Sequence, residues 1–327
     1  MLYLRVTNMG RIEYIDKLKG LCILFMVMGH IMQISLDVND VSFNSFYTSF
    51  HMPIFFFLSG LFVYKHFKSW NCSELWRFVS NKVKRLLLPF VTIGSIYVLY
   101  FDIDYVDFLT GGFNGYWFLP ALFVCMLVDA FCSFLIRNIV KKNCIGRLLL
   151  PILLSFFILL GFYVLSKAPY IRGALYHYLF FAMGILVSQN YIIKKAIYAS
   201  NWLYTISILV YIILWGRKFP YGFNFIAFAS IIILVNTFYR YSPSIPMVLN
   251  KFGKYSLEIY VFHRFFLPSL SNLREYLLNF QQFDKSENFL LFMLVSLCVS
   301  LPICYISVFV SKFVKHSNIL RKVCFGK

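Results

Sequence analysis

Charged side chains are scarce in this sequence, and acidic ones are the scarcest. Only 13% of the 327 residues are charged, and the chain holds 13 acidic residues against 31 lysines and arginines. Hydrophobic residues make up 60% of the chain, and the mean hydropathy is +0.73. A soluble domain of this length cannot cover so much apolar surface, so the composition excludes that class and indicates a polytopic membrane protein.

Several other signatures are missing. The chain has no CxxC pair and no His/Cys cluster with the spacing of a zinc site, so we expect no bound metal. None of the eight cysteines falls in a segment assigned to the outside, so we expect no disulfides. The net charge of +18 comes from basic residues between apolar runs. Since there is no soluble domain to form a groove, we expect no nucleic acid partner.

The apolar segments predict an all-α fold with about ten transmembrane helices, because a helix satisfies its own backbone groups in lipid. The predicted helices cover residues 18–36, 45–64, 86–101, 116–136, 148–165, 173–188, 202–216, 221–238, 256–270 and 289–310. Basic residues concentrate in alternate loops, which predicts that both termini are cytosolic. In this interpretation residues 1–327 form a single membrane domain.

The first predicted helix places a lysine near its start and a histidine deep within its apolar run. Ionisable residues in a membrane span are costly and are therefore functional candidates. Lys19 and His30 are eleven positions apart, close to three turns, so they share one face about 16 Å apart. Gln33 and Asp37 are predicted on the same face, a pattern typical of a helix that lines a cavity. The alternative is that His30 only hydrogen-bonds a neighbouring helix.

A second histidine is predicted at a similar depth. The second helix enters from the outside near Ser45, which places His51 about 9 Å below that face. His51 and His30 are therefore expected in one pocket, where a neutral imidazole can accept a proton from a hydroxyl. The alternative is that His51 is an interfacial residue ahead of Pro53.

The stretch "WRFVSNKVKRLLLPF" places a basic cluster just beneath the membrane. Lys82, Lys84 and Arg85, together with Lys19, are candidates to hold the phosphates of an anionic cosubstrate that enters from the cytosol. The alternative is ordinary positive-inside topology, which would put those charges there in any case.

Five segments together resemble the bacterial integral-membrane acyltransferase 3 family. "RIEYIDKLKGLCILFMVMGH" is similar to the family's first helix, in which ten positions separate a basic residue from a histidine; here these are Lys19 and His30, with lysine where many members have arginine. The other segments follow in the family's order up to about residue 264, and they are "FHMPIFFFLSGLFVYK", "KRLLLPF", "GYWFLPALF" and "SLEIYVFH". The region from about 137 to 250 shows no such segment.

This resemblance implies transfer of an acyl group, usually acetyl, from cytosolic acyl-CoA to a carbohydrate hydroxyl. The acceptor would be a cell-surface carbohydrate, such as an exopolysaccharide or O-antigen, or its lipid-linked precursor. The partners would be acyl-CoA, this glycan and the lipids of the bacterial inner membrane, with acetyl-CoA as cosubstrate and no resident cofactor. The implied roles are catalytic for Lys19, His30 and His51, acyl-CoA binding for Lys19, Lys82, Lys84 and Arg85, and cavity lining for Trp117, Tyr260 and His263.

These residues suggest a tunnel with the phosphates of coenzyme A near Lys19 and the thioester beside His30. His30 would act either as general base or as covalent carrier of the acyl group, and the sequence leaves both routes open. The alternative function is a transporter or flippase for a lipid-linked sugar, although no paired halves are evident. Asp129 and His177 are interpreted as packing residues.

Overall fold

A computed structural model describes residues 12–38, 46–64, 71–111, 115–140, 146–215, 222–273, 275 and 285–326. Of these residues 88% are helical, and they include no strand. The predicted all-α, polytopic fold class is confirmed.

The helices within the described residues are labelled α1 to α15. In chain order they are α1 (Glu13–His30), α2 (His51–Phe62), α3 (Cys72–Lys82), α4 (Leu88–Tyr100), α5 (Tyr105–Thr110), α6 (Phe118–Ile139), α7 (Gly146–Ser166), α8 (Pro169–Gln189), α9 (Tyr191–Ala199), α10 (Asn201–Leu214), α11 (Gly222–Tyr241), α12 (Met247–Lys254), α13 (Ser256–Phe262), α14 (Lys285–His316) and α15 (Asn318–Phe325). Short 3₁₀ segments follow α11 and α13, and π-helical segments follow α1 and α3.

Within the described ranges, seven helices are long and apolar enough to cross a membrane, or eight if the bent pair α9 and α10 counts as one span. The structure differs from the predicted ninth span, 256–270. There, α13 is followed by the 3₁₀ segment His263–Phe266, and residues 267–270 are not helical. Seven helical residues cover only about 10 Å, a third of the hydrocarbon thickness. The count of ten crossings and the cytosolic termini stay predictions.

The chain divides into two compact units. Unit 1 comprises Met1–Phe55 with Lys194–Phe313, and unit 2 comprises Phe56–Ile193 with Val314–Lys327. Of the predicted site residues, Lys19, His30, His51, Tyr260 and His263 belong to unit 1, and Lys82, Lys84, Arg85 and Trp117 belong to unit 2.

In unit 1, α1 packs along α12 so closely that their backbones touch. A Cβ atom added to Gly20 would overlap the backbone carbonyl of Leu249, and one added to Gly253 would overlap the backbone of Asp16. Small residues at such crossings are the usual means of close helix packing in a membrane, where burial of apolar side chains gives little driving force. Two glycines therefore fix how α1, which carries Lys19 and His30, lies against the chain that leads into α13.

In unit 2, the helices α6, α7 and α8 pack against one another around a buried carboxylate. Asp129 on α6 is 1% exposed; its two oxygens accept hydrogen bonds from the hydroxyls of Tyr64 and Tyr178, the latter at 2.7 Å. Each acidic oxygen thus has a hydroxyl partner, as a buried polar group requires.

Candidate active site

The helix α1 realises the predicted spacing between Lys19 and His30. It is α-helical without interruption from Glu13 to His30, so the two side chains lie three turns apart on one face, about 16 Å along the axis. Directly after His30 the chain forms the π-helical segment Ile31–Ser35, which changes the number of residues per turn. The predicted continuation of the polar face is wrong for Asp37, which lies past the helix end with φ of 47°, and stays a prediction for Gln33.

His30 meets a second histidine across unit 1. Its Nδ1 lies 2.8 Å from Nε2 of His263, although the two residues are 233 positions apart in the chain. The rings are stacked, with centroids 5.0 Å apart and planes inclined by 13°. This pair joins the end of α1 to the end of α13, so the packing of the two helices holds both imidazoles in place.

His263 is held from its other side by the backbone of its own helix. Its Nδ1 lies 2.8 Å from the carbonyl oxygen of Tyr260 and 3.1 Å from that of Ile259. Because carbonyl oxygens only accept hydrogen bonds, Nδ1 of His263 is the donor. Tyr260 is 5% exposed and His263 is fully buried, so this arrangement is shielded from solvent.

The third predicted histidine of unit 1 is fixed in a similar way. His51, at the start of α2 and 4% exposed, donates from Nδ1 to the carbonyl oxygen of Tyr47 at 2.5 Å. The hydroxyl of Tyr47 in turn accepts a hydrogen bond from Gln33 at 2.8 Å. His51 lies close enough to act electrostatically on His30, as do His263 and Arg264. The expectation that His30 and His51 share one pocket stays a prediction.

Accessibility separates His30 from its neighbours. His263 and His51 are buried, whereas His30 is partly exposed. A reacting group must reach its substrate, so His30 is the member of this cluster that can meet a ligand directly.

A neighbouring lysine, which the sequence reasoning did not single out, has a structural role at the start of α1. Lys17 is fully buried, forms an ion pair with Glu13 at 2.8 Å, and donates to the carbonyl oxygen of Ser242 at 2.6 Å. Ser242 follows the end of α11, where the helix dipole favours a cation. Lys19, two positions further on, is partly exposed. The Glu13–Lys17 spacing of four residues was the available signal for this pair.

The predicted phosphate-binding residues of unit 2 lie on a second π-helical segment. Val83–Leu87 is π-helical and contains Lys84 and Arg85, both exposed. Lys82 is partly buried, and its ammonium group lies over the ring of Phe78 at 5.1 Å from the centroid. Two exposed cations thus remain on one irregular turn, the kind of turn that is frequent at functional sites.

Trp117 precedes α6 in unit 2 and is half-buried. Its ring lies 5.3 Å from that of His177, and a Cβ atom added to Gly173 would press against it. His177 donates from Nδ1 to the carbonyl oxygen of Gly173 at 2.9 Å and stacks on Phe56, with centroids 4.8 Å apart. The contacts of Trp117 in this unit are therefore with α8, and its predicted role at a cavity wall stays a prediction.

Comparison with known proteins assigns the chain to a family. The acyltransferase domain of the acyltransferase 3 family matches residues 12–309, about nine tenths of the sequence. No curated protein and no solved structure gives a significant match. The matched range contains α1, the histidine pair and the basic segment Val83–Leu87. The chain therefore belongs to the acyltransferase 3 family and is a multi-pass membrane acyltransferase.

Proposed function

We propose that the protein is an O-acetyltransferase of the bacterial inner membrane. It transfers acetyl from cytosolic acetyl-CoA to a hydroxyl of a cell-surface carbohydrate or of its lipid-linked precursor. The observation that carries this proposal is the pairing of His30 with His263 at the upper end of α1, three turns from Lys19. The family match favours this class over the transporter or flippase for a lipid-linked sugar.

In this mechanism the two ends of α1 have separate tasks. The phosphates of coenzyme A bind near Lys19 through charge-assisted contacts, and Lys84 and Arg85 are further proposed phosphate ligands. The pantetheine arm extends along α1 and places the thioester beside His30. The partly exposed imidazole of His30 then takes the proton of the acceptor hydroxyl, and the alkoxide attacks the thioester carbon. His51 and Tyr260 lie near the proposed entry of the sugar, and Trp117 is a separate proposed contact of the sugar.

Transfer of radioactive acetyl from acetyl-CoA to glycans extracted from membranes tests this function. His30→Ala should lower the transfer rate by roughly 10²–10⁴, the usual contribution of a general base. The matched control is His316→Ala, at the exposed end of α14, which should leave the rate unchanged. Normal glycan labelling by the His30 variant would exclude the assignment.

The donor site has its own test. Lys19→Met and the double variant Lys84→Ala/Arg85→Ala should each raise KM for acetyl-CoA by roughly 10- to 100-fold, as expected for lost charged hydrogen bonds. The exposed Lys195 of α9 provides the control variant Lys195→Ala. An unchanged KM in both variants would place the phosphates elsewhere.

A covalent route is the second candidate mechanism, because histidine is also a competent nucleophile. Incubation of the purified protein with radioactive acetyl-CoA, without acceptor, distinguishes the two. Label that persists on His30 would establish the acyl-enzyme route and exclude direct transfer.

A further inference from the structure

The hydrogen bonds around His263 determine where its protons lie. Its Nδ1 faces two carbonyl oxygens, at 2.8 and 3.1 Å, so that nitrogen carries hydrogen. The side chain is fully buried, and a doubly protonated ring would place a full charge there at high cost. The Nε2 atom of His263 is therefore a lone-pair acceptor.

The partner of that lone pair is His30. The 2.8 Å contact between Nδ1 of His30 and Nε2 of His263 is a hydrogen bond only if one nitrogen donates. Since Nε2 of His263 accepts, Nδ1 of His30 donates and carries hydrogen. In the neutral imidazole of His30 the remaining lone pair then lies on Nε2.

From this chain of contacts we infer that His263 is a positioning residue, which holds His30 in the Nδ1–H tautomer and makes Nε2 of His30 the reacting atom. The inference rests on the proposed function, because it deepens the role of the same site. The hydrogen bonds run from the backbone carbonyl to His263, from His263 to His30, and from His30 to the acceptor hydroxyl. The nearly parallel rings of the two histidines fix the direction in which Nε2 of His30 points.

The opposite proton arrangement would disable the site. With hydrogen on Nε2 of His263, Nδ1 of His30 would be the acceptor, and its Nε2–H could donate but not accept. The ring could then take no proton from an alcohol. The hydrogen bond that Nδ1 of His263 donates to the carbonyl oxygen of Tyr260 thus fixes the proton positions on both rings, and with them whether His30 can act as a base.

In the proposed step one proton moves to His30 and returns, and one carbon–oxygen bond replaces one carbon–sulfur bond. The hydroxyl proton moves to Nε2 of His30, the hydroxyl oxygen bonds to the thioester carbon, and the imidazolium that results keeps its Nδ1–H bond to His263. Collapse of the tetrahedral intermediate breaks the carbon–sulfur bond, and the thiolate of coenzyme A takes the proton back from Nε2. His263 supplies no proton; it stabilises and orients, as the third member of a catalytic triad does.

The hydrogen bond of His30 differs from those of the buried histidines. His51 and His177 donate from Nδ1 to a carbonyl oxygen four residues earlier in the chain, as His263 does. The Nδ1 atom of His30 instead bonds a side chain from another helix. Its tautomer is therefore set by tertiary structure, and a single distant substitution can change it.

The test combines kinetics with ¹⁵N NMR of histidine-labelled protein in lipid nanodiscs, with the His30 signals assigned by their loss in His30→Gln. His263→Phe keeps a planar ring but offers no acceptor, whereas the amide oxygen of His263→Gln occupies the place of Nε2.

In a serine protease, loss of the correct tautomer lowers kcat about 10⁴-fold. We expect His263→Phe to lose roughly 10²–10⁴ in kcat with KM for acetyl-CoA unchanged, and His263→Gln to recover most of the loss. The spectrum of the unmodified protein should show hydrogen on Nδ1 of His30, and that of His263→Phe should show a mixture of tautomers.

Two results would overturn the inference. One is a wild-type spectrum with hydrogen on Nε2 of His30, a readout that needs no variant to fold. The other is a folded His263→Phe with kcat within threefold of wild type. If membranes that contain the wild-type protein transfer no acetyl from acetyl-CoA to glycans, the proposed function fails, while the spectrum still reports the tautomer independently.

Discussion

Unit 1 and unit 2 each bury ionisable side chains, but they satisfy them in different ways. In unit 2, both oxygens of Asp129 accept tyrosine hydroxyls, and His177 donates to its own helix while stacking on Phe56. In unit 1, His263 is equally enclosed, but its outer nitrogen bonds the partly exposed His30. The difference indicates that a buried histidine or carboxylate is a reactive candidate only when its hydrogen bonds leave one of its polar atoms open to a ligand.

The strongest way to break this comparison is to separate α1 from α12, the helix that leads into α13 and so into the histidine pair. Gly20→Ala and Gly253→Ala each place a methyl group on backbone atoms of the opposite helix, which cannot move aside as a side chain would. We expect each to destabilise unit 1 by more than roughly 3 kcal/mol, or to abolish expression of folded protein. Thermal unfolding in detergent measures the effect.

The matched control lies in α7 of unit 2. A Cβ atom added to Gly161 meets nothing within 4 Å. Gly161→Ala should therefore be neutral or stabilise by up to about 1 kcal/mol, since alanine is the better helix former. Equal unfolding temperatures for all three alanine variants would contradict the close packing of α1 and α12.

The second largest expected loss of stability distinguishes Lys17 from Lys19, which lie two positions apart on α1. Lys17→Met removes a buried cation from Glu13 and Ser242, and we expect a loss of about 3 kcal/mol, the lower end for a buried pair because Glu13 is partly exposed. Lys19→Met should lower the unfolding temperature less than Lys17→Met does, because Lys19 is partly exposed, and should raise KM for acetyl-CoA. A stability loss in the Lys19 variant with none in the Lys17 variant would reverse the two roles.

The smallest effect concerns the carboxylate of unit 2. Asp129→Ala removes the carboxylate that accepts hydrogen bonds from two tyrosine hydroxyls, and buried hydrogen bonds in membrane proteins are worth about 0.6–1.7 kcal/mol each. We expect a loss of roughly 1–3 kcal/mol with kcat per folded molecule unchanged, and a milder effect for Asp129→Asn, which keeps one acceptor. A large fall in kcat without loss of stability would give Asp129 a role in the chemistry.

Much of the fold was predictable because apolar runs and helix periodicity are local properties. The uninterrupted helix from Lys19 to His30 follows directly from them. The π-helical turn after His30 was not predictable, since it depends on backbone hydrogen bonds that leave no pattern in the sequence; beyond it the helix ends before Asp37. The ninth span failed as a full helix where polar His263 and Arg264 interrupt the apolar run.

The site was predictable only in part. His30 was indicated by its position within a span, and His263 and Tyr260 were indicated by the family resemblance. The contact between the two histidines was not, because it joins residues 233 positions apart and depends on how α13 packs against α1. Lys17 was overlooked because a lysine at the membrane surface looks like ordinary topology until its burial is known.

The most direct test measures kcat and the unfolding temperature together for His30→Gln and His177→Gln. We expect the first variant to lose at least 100-fold in kcat while unfolding within about 2 °C of wild type, because the base is gone but its partner still packs. The second variant should keep kcat within threefold per folded molecule. Equal losses of kcat in both variants, or full activity of His30→Gln, would contradict the claim that His30 is the base of the reaction.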